Sequence, residues 1–327
     1  MRKITLLLVI PWLVVSCNTD DKAIDQVNQG IEYGAVIRTL SFNNSEFVVD
    51  DLSSVFSVNI EEQDKENGDL LESVDVFVRF KDNNLTGGDL STEEVKVRTL
   101  MPGDFQRGGA DNLPRMTLEL GYSELLDATG IPHSQVACKD QFLVRLSVNL
   151  TNGLVLSTQN ASSMILAFRT FFSSPYCYTI NVVEPIDDDL FTGFYRYESI
   201  VDGPLGPTFV TTHGRPQIAE ITRGHSNTVR IVPLKHILAH PSNEQPRDYE
   251  FSIVCDELVF QKNQLSSVIG GCDTVTNAIL LGPGDENAPV NPTDDSVFEI
   301  WLVEGYNGWD GGCGFGTAPS RVRFTKQ

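Results

Sequence analysis

Short runs in which apolar and polar residues alternate, divided by turn residues, recur along nearly the whole chain and restrict it to β architecture. Val55-Phe56-Ser57-Val58-Asn59-Ile60 and Val74-Asp75-Val76-Phe77-Val78-Arg79-Phe80 have the period of two that belongs to half-buried strands. Glu66-Asn67-Gly68-Asp69 and Asp82-Asn83-Asn84 supply turn chemistry between them. Residues 95–100, 116–120, 142–150 and 154–157 continue the series, and Asn152-Gly153 is a two-residue hairpin signal. One short helix is expected at Tyr122 to Thr129, stopped by Gly130.

The acidic, proline-containing break Glu184-Pro185-Ile186-Asp187-Asp188-Asp189 divides this series from a second one. Strands there are expected near 194–201, 207–213, 216–222, 228–233, 249–254, 256–261, 276–281, 296–303 and 321–325, with Asp256-Glu257 marking a turn or bulge. The predicted fold class is all-β. An immunoglobulin-like β-sandwich occupies 31–184, and a second antiparallel β-sandwich or barrel, the ligand domain, occupies 185–327. The Cys…Trp…Cys pattern of true immunoglobulin domains is absent, so the expectation is of architecture alone.

The N-terminus sets location. Arg2 and Lys3 precede an apolar run from Ile4 to Val15, too short to span a bilayer, and Ser16-Cys17 closes it. The segment resembles a bacterial lipoprotein signal, which implies cleavage after residue 16 and lipidation of Cys17. Residues 17–30 are polar and aperiodic and read as a flexible tether. Asp20 and Asp21 resemble the export signal that places lipoproteins of Bacteroidota on the outer face of the outer membrane.

Loss of residues 1–16 leaves 311 residues with 22 cations against 44 acids, a net charge of −22. Such a surface repels phosphate backbones and anionic headgroups, so no nucleic-acid partner is expected and membrane attachment falls to the lipid anchor only. Five cysteines follow Cys17 without a CxxC pair, in a compartment that permits disulfides. The expected pairs are Cys138 with Cys177 and Cys255 with Cys272, with Cys313 able to replace a member of the second.

Taken together, the lipobox, the early sandwich, Phe191-x-Gly193-x-Tyr195, Asp294-Asp295-Ser296-Val297-Phe298 and Val322-Arg323-Phe324-Thr325-Lys326 resemble surface lipoproteins of Bacteroidota. Many of those accompany SusC/SusD-like nutrient uptake systems. The resemblance implies a binding accessory for a glycan or other nutrient, with a SusC/SusD-like outer-membrane complex as partner. It carries over no catalytic residue.

Residues 301–316, WLVEGYNGWDGGCGFG, are the richest candidate site. Trp301 lies in an alternating strand and reads as core. Tyr306, Asn307, Trp309 and Asp310 sit among six glycines, where rings can stack on a sugar face and carboxylate and amide groups can meet its hydroxyls. The competing reading is a loop folded over the barrel end, capped by Trp309 and pinned by Cys313. His236 and His240 stand four apart but precede Pro241 and lack the HExxH glutamate, so no metal is assigned to them. Asp64 to Asp69 imitates part of a calcium loop, a solvated turn being the favoured reading, so structural calcium is the one cofactor to test. There is no GxSxG, P-loop or GxGxxG signature. The function expected is non-catalytic nutrient capture at the cell surface. An adhesive protein–protein module and a glycan-active hydrolase are the alternatives.

Overall fold

The alternating runs become strands. The computed structural model describes residues 34–85, 87–161, 163–166, 172–209, 217–236, 246–266, 272 and 279–327. The leader, Cys17, the tether expected over 17–30, most of the strand expected at 207–213 and His240 lie outside the described residues.

The first part of the chain forms β1 (Val36–Asn44), β2 (Glu46–Val48), β3 (Val55–Gln63), β4 (Leu71–Lys81), β5 (Val95–Leu100), β6 (Gln106–Gly108), β7 (Leu113–Gly121), α1 (Tyr122–Thr129), β8 (Gln141–Leu150), β9 (Val155–Leu156), the single turn α2 (Ser163–Leu166) and β10 (Cys177–Val183). One sheet has the order β1-β3-β7-β6, and the other β2-β10-β8-β4-β5 with β9 beside β8. The β2–β10 pairing is parallel, and the remaining pairings of these two sheets are antiparallel. Phe56, Val58 and Ile60 of β3 enter the same hydrophobic cluster as Val74, Val76 and Val78 of β4 and Val144, Leu146 and Val148 of β8. Their odd-numbered neighbours Ser57, Asn59 and Glu61 turn to the other face, as a period of two requires.

Helix α1 begins and ends as expected. The Glu124 carboxylate accepts the Gly121 N–H at 3.3 Å, and Gly130, at φ 73°, donates its N–H to Leu126 O. The helix seats Tyr122 on Phe47, ring centroids 4.7 Å apart, and so ties β7 to β2.

The later part forms β11 (Gly193–Val201), β12 (Ile218–Arg223), β13 (Val229–Leu234), β14 (Arg247–Val254), β15 (Glu257–Phe260), β16 (Gln264–Leu265), β17 (Leu280–Gly282), β18 (Ala288–Pro289), β19 (Val297–Glu304) and β20 (Ala318–Lys326). These make one curled ten-stranded sheet, ordered β16-β17-β19-β20-β11-β12-β13-β14-β15-β18. A second hydrophobic cluster fills it, with Phe298 stacked on Phe324 at 5.2 Å and edge-on to Phe191 and Tyr195. The expected turn falls one residue early, at Cys255-Asp256, where Cys255 takes φ 62°.

Asp295 locks the start of this sheet to its centre. Its Oδ2 accepts the Phe191 N–H and the Tyr195 hydroxyl, both at 2.7 Å, and the Lys326 ammonium at 2.5 Å. Burial opposes the charge, but the bonds from Lys326, Tyr195 and Phe191 outweigh it and hold the carboxyl below its usual range. Asp295→Ala strands three donors and is expected to remove about 3 kcal/mol at pH 7, read from the urea midpoint, while Asp294→Ala leaves the midpoint nearly unchanged.

The disulfides differ from the expected pairs. Cys138 bonds Cys255, Cα atoms 6.3 Å apart, and Cys272 bonds Cys313, 4.9 Å apart. Strand register forbids Cys138–Cys177: Cys177 lies opposite Arg145 at one end of β10, whereas the Lys139 N–H donates to Val182 O at the other. Five strand residues separate those ends, roughly 17 Å, far beyond the reach of a disulfide. Cys255 is thereby removed from Cys272, whose partner is Cys313, and Cys177 is an exposed free thiol.

The acidic turn after β3 organises itself. Asp64 Oδ1 accepts the N–H groups of Glu66 and Gly68, at 2.7 and 2.9 Å, and Oδ2 accepts that of Leu70 at 2.8 Å. Gly68, at φ 90°, packs so closely that a Cβ there would lie 2.3 Å from Pro114. Beneath the turn Glu62 is fully buried, and neither of its oxygens has a hydrogen-bond partner among the described residues. Burial, then the nearby Asp64 charge, pushes its carboxyl up to about 8, against the pull of Arg107.

Candidate functional site

The glycine-rich segment after β19 is a loop held at many points. Gly305, at φ 75°, donates to Leu280 O, and its own carbonyl accepts the Thr317 hydroxyl at 2.9 Å. A Cβ at Gly305 would lie 1.8 Å from Gly316 O, so the loop closes only because that position has no side chain. Trp309 O accepts the Leu280 N–H, Asp310 bridges Ile279, and Cys313 bonds Cys272. The loop is thus sewn onto β17 and the residue preceding it.

The four predicted ligand residues fall into distinct places. Tyr306 is half-buried with its ring against Gly282, where a Cβ would lie 2.3 Å from it. Asn307 is exposed, at φ 57°, and its Nδ2 donates to Asn263 Oδ1 at 3.4 Å. Trp309 is half-buried. Asp310 turns its carboxylate inward: Oδ1 accepts the Gly312 N–H at 3.0 Å and Oδ2 the Gly316 N–H at 2.9 Å. Those amides, Gly316 foremost, hold its carboxyl below the usual range, so Asp310 shapes the loop. Trp301 packs at the edge of the second cluster, with the Arg321 guanidinium 3.8 Å over its ring.

Asn263 continues the site into a groove of about 150 Å3 lined by Phe42, Cys177, Tyr178, His225 and Lys262. The groove lies where the two parts of the chain meet. His225 stacks on Phe42 at 5.0 Å and bonds Ser45 Oγ at 2.8 Å. The neighbouring Thr228 donates its N–H and hydroxyl to Glu46, at 3.0 and 2.6 Å. Burial pushes Glu46 up despite those bonds. Lys139 spans the same junction to Asp256 and Glu257, at 2.6 and 2.9 Å, and those two bonds push its ammonium up. The adjacency of His225 and Ser226 in sequence serves this junction, with Ser226 Oγ accepting the Ser45 N–H at 2.9 Å.

Sequence reasoning missed one polar array. His236 Nδ1 lies 2.6 Å from Ser266 Oγ and Nε2 lies 3.1 Å from Glu304 Oε2, while Glu304 Oε1 accepts the Thr208 hydroxyl at 2.7 Å. Ser266, His236 and Glu304 are the residue types of a nucleophile–base–acid set, but each has 0% of its surface exposed. The array links residues at the ends of β13, β16 and β19 inside the curl. Residues 208, 236, 266 and 304 share no motif, and only the sheet order brings them together. Among the described residues no group of three or more His, Cys, Asp or Glu side chains is placed to hold a metal ion.

No known family model and no curated protein matches the chain. Among solved structures it is similar to Spo0M, a sporulation control protein from Bacillus subtilis, at 9% identity over 70% of this chain and 78% of that one, with a TM-score of 0.24.

Proposed function

We propose that the protein is a lipid-anchored, non-catalytic binding accessory on the outer face of the outer membrane, and that it captures a nutrient glycan for a SusC/SusD-like complex. In this reading residues 31–184 form an immunoglobulin-like sandwich that acts as a spacer, and residues 185–327 carry the ligand surface. The observation behind it is the contrast within the loop: its backbone is pinned by a disulfide, by Asp310 and by β17, yet it leaves Asn307 exposed beside half-buried Tyr306 and Trp309 and bonded to Asn263, a residue of the groove wall. A rigid, partly aromatic edge binds a sugar ring without having to be ordered first. The lipobox and the acidic residues after Cys17 supply the location.

The test is tryptophan emission during titration of residues 18–327 with a panel of soluble neutral and acidic polysaccharides. One polysaccharide is expected to give a saturable change that is lost in Asn307→Gly, with the thermal midpoint of that variant nearly unchanged because glycine tolerates the positive φ of this position. An emission spectrum indifferent to the whole panel would overturn glycan capture by the loop in favour of the adhesive reading, pursued by pull-down from outer membranes.

A further inference from the structure

A second cavity, of about 580 Å3, lies on the outward face of β1, β3 and β7, with Asp104 and Gln106 in its wall. We propose that this groove is an independent binding site for a neutral, hydroxyl-rich chain, an oligosaccharide segment laid across the strands. It shares no residue with the loop at 305–316.

The case begins with register. Ser41 lies opposite Asn59, and Asn59 opposite Thr117, so three short polar side chains form one row across three strands. They are already bonded to one another. Asn59 Nδ2 donates to Ser41 Oγ at 2.9 Å and to Asn43 Oδ1 at 3.2 Å, and the Thr117 hydroxyl donates to Asn59 Oδ1 at 2.7 Å. The row therefore presents hydroxyl and amide groups at intervals of about 4.8 Å, in fixed orientations, and a ligand pays little to order them. Leu40, 42% exposed, and half-buried Met116 add apolar surface for the carbon face of a sugar ring.

Charge decides the chemical class. The next row across the sheet is Arg38–Glu61–Arg115, and Glu61, 2% exposed, is clasped by both guanidinium groups. Arg107 is paired with Asp69, and Asp104 accepts the Met101 N–H at 2.7 Å. The arginines at this groove are thus compensated locally, in a chain whose overall charge repels anions. A neutral polyol meets no electrostatic penalty here; a polyanion finds no unpaired cluster of cations.

Affinity electrophoresis of the protein through gels containing neutral polysaccharides, with polygalacturonate as the anionic comparison, tests the assignment. Retardation by a neutral polysaccharide is expected to weaken about tenfold in Asn59→Ala/Thr117→Ala, which removes the oriented row. Ser41→Trp fills the groove from an exposed position, removes no core contact and is expected to weaken it at least as much. In Asn59→Ala/Thr117→Ala, which leaves the tryptophan content unchanged, the tryptophan response assigned to Asn307 persists, which separates this site from the loop. Unchanged retardation in both variants, retardation by polygalacturonate alone, or none by any neutral polysaccharide would overturn the proposal.

Discussion

Raising the pH from 4.5 to 8 is expected to remove about 4 kcal/mol of stability through Glu62 alone, and Glu62→Gln is expected to abolish that part of the loss. In the unfolded chain the carboxyl has its ordinary value of 4.5, and in the fold it is pushed up to about 8. Between those values the native state keeps a proton that the unfolded state has shed. Stability therefore falls by about 1.4 kcal/mol per pH unit across that window and levels off above it. Glutamine imitates the protonated acid in size and charge, so wild type and variant are expected to match near pH 4.5 and to separate progressively towards pH 8, the variant being the more stable. Urea titrations of both at pH 4.5, 6 and 8 measure the gap. Taking the difference also cancels Glu46 and Asp140, whose carboxyls burial pushes up in the same direction. Parallel curves at all three values would show that Glu62 is not held dry.

The second large effect belongs to Cys138–Cys255. The bond closes a separation of 117 residues, and on the chain-entropy account its removal costs about 5 kcal/mol, compared with about 4 for Cys272–Cys313, separated by 41. Cys138→Ala/Cys255→Ala is therefore expected to lower the urea midpoint more than Cys272→Ala/Cys313→Ala does. Peptide mapping without reduction supplies the direct check, with a linked pair containing Cys138 and Cys255 as the expected product. A peptide joining Cys138 to Cys177 would contradict the register of β8 and β10.

Much of the fold could be read locally because a period of two is a local property. β3, β4, β5, β7 and β8 lie where their alternation puts them, the Asn152-Gly153 turn joins β8 to β9 with Gly153 at φ 86°, and α1 has its expected ends. β2, β6, β16 and β18 are only two or three residues long and too short to show any period. The disulfides were illegible for another reason: pairing depends on which strand ends meet, and that is decided by sheet order. The same holds for Ser266, His236 and Glu304, and for the row Ser41–Asn59–Thr117. For the loop, the sequence exposed its glycine-rich composition but not the direction of the Asp310 carboxylate, which faces the backbone amides of its own loop.

The position of β20 has a consequence for biosynthesis. Residues 318–326 pair with β11 on one side and β19 on the other, so a strand made after the other nine is an interior member of their sheet. While residues 193–304 are emerging, β11 and β19 each lack a neighbour and the curl cannot close. A growing chain is thereby kept from completing this half before its last strand has been made, and its open strand edges are what a chaperone would have to cover.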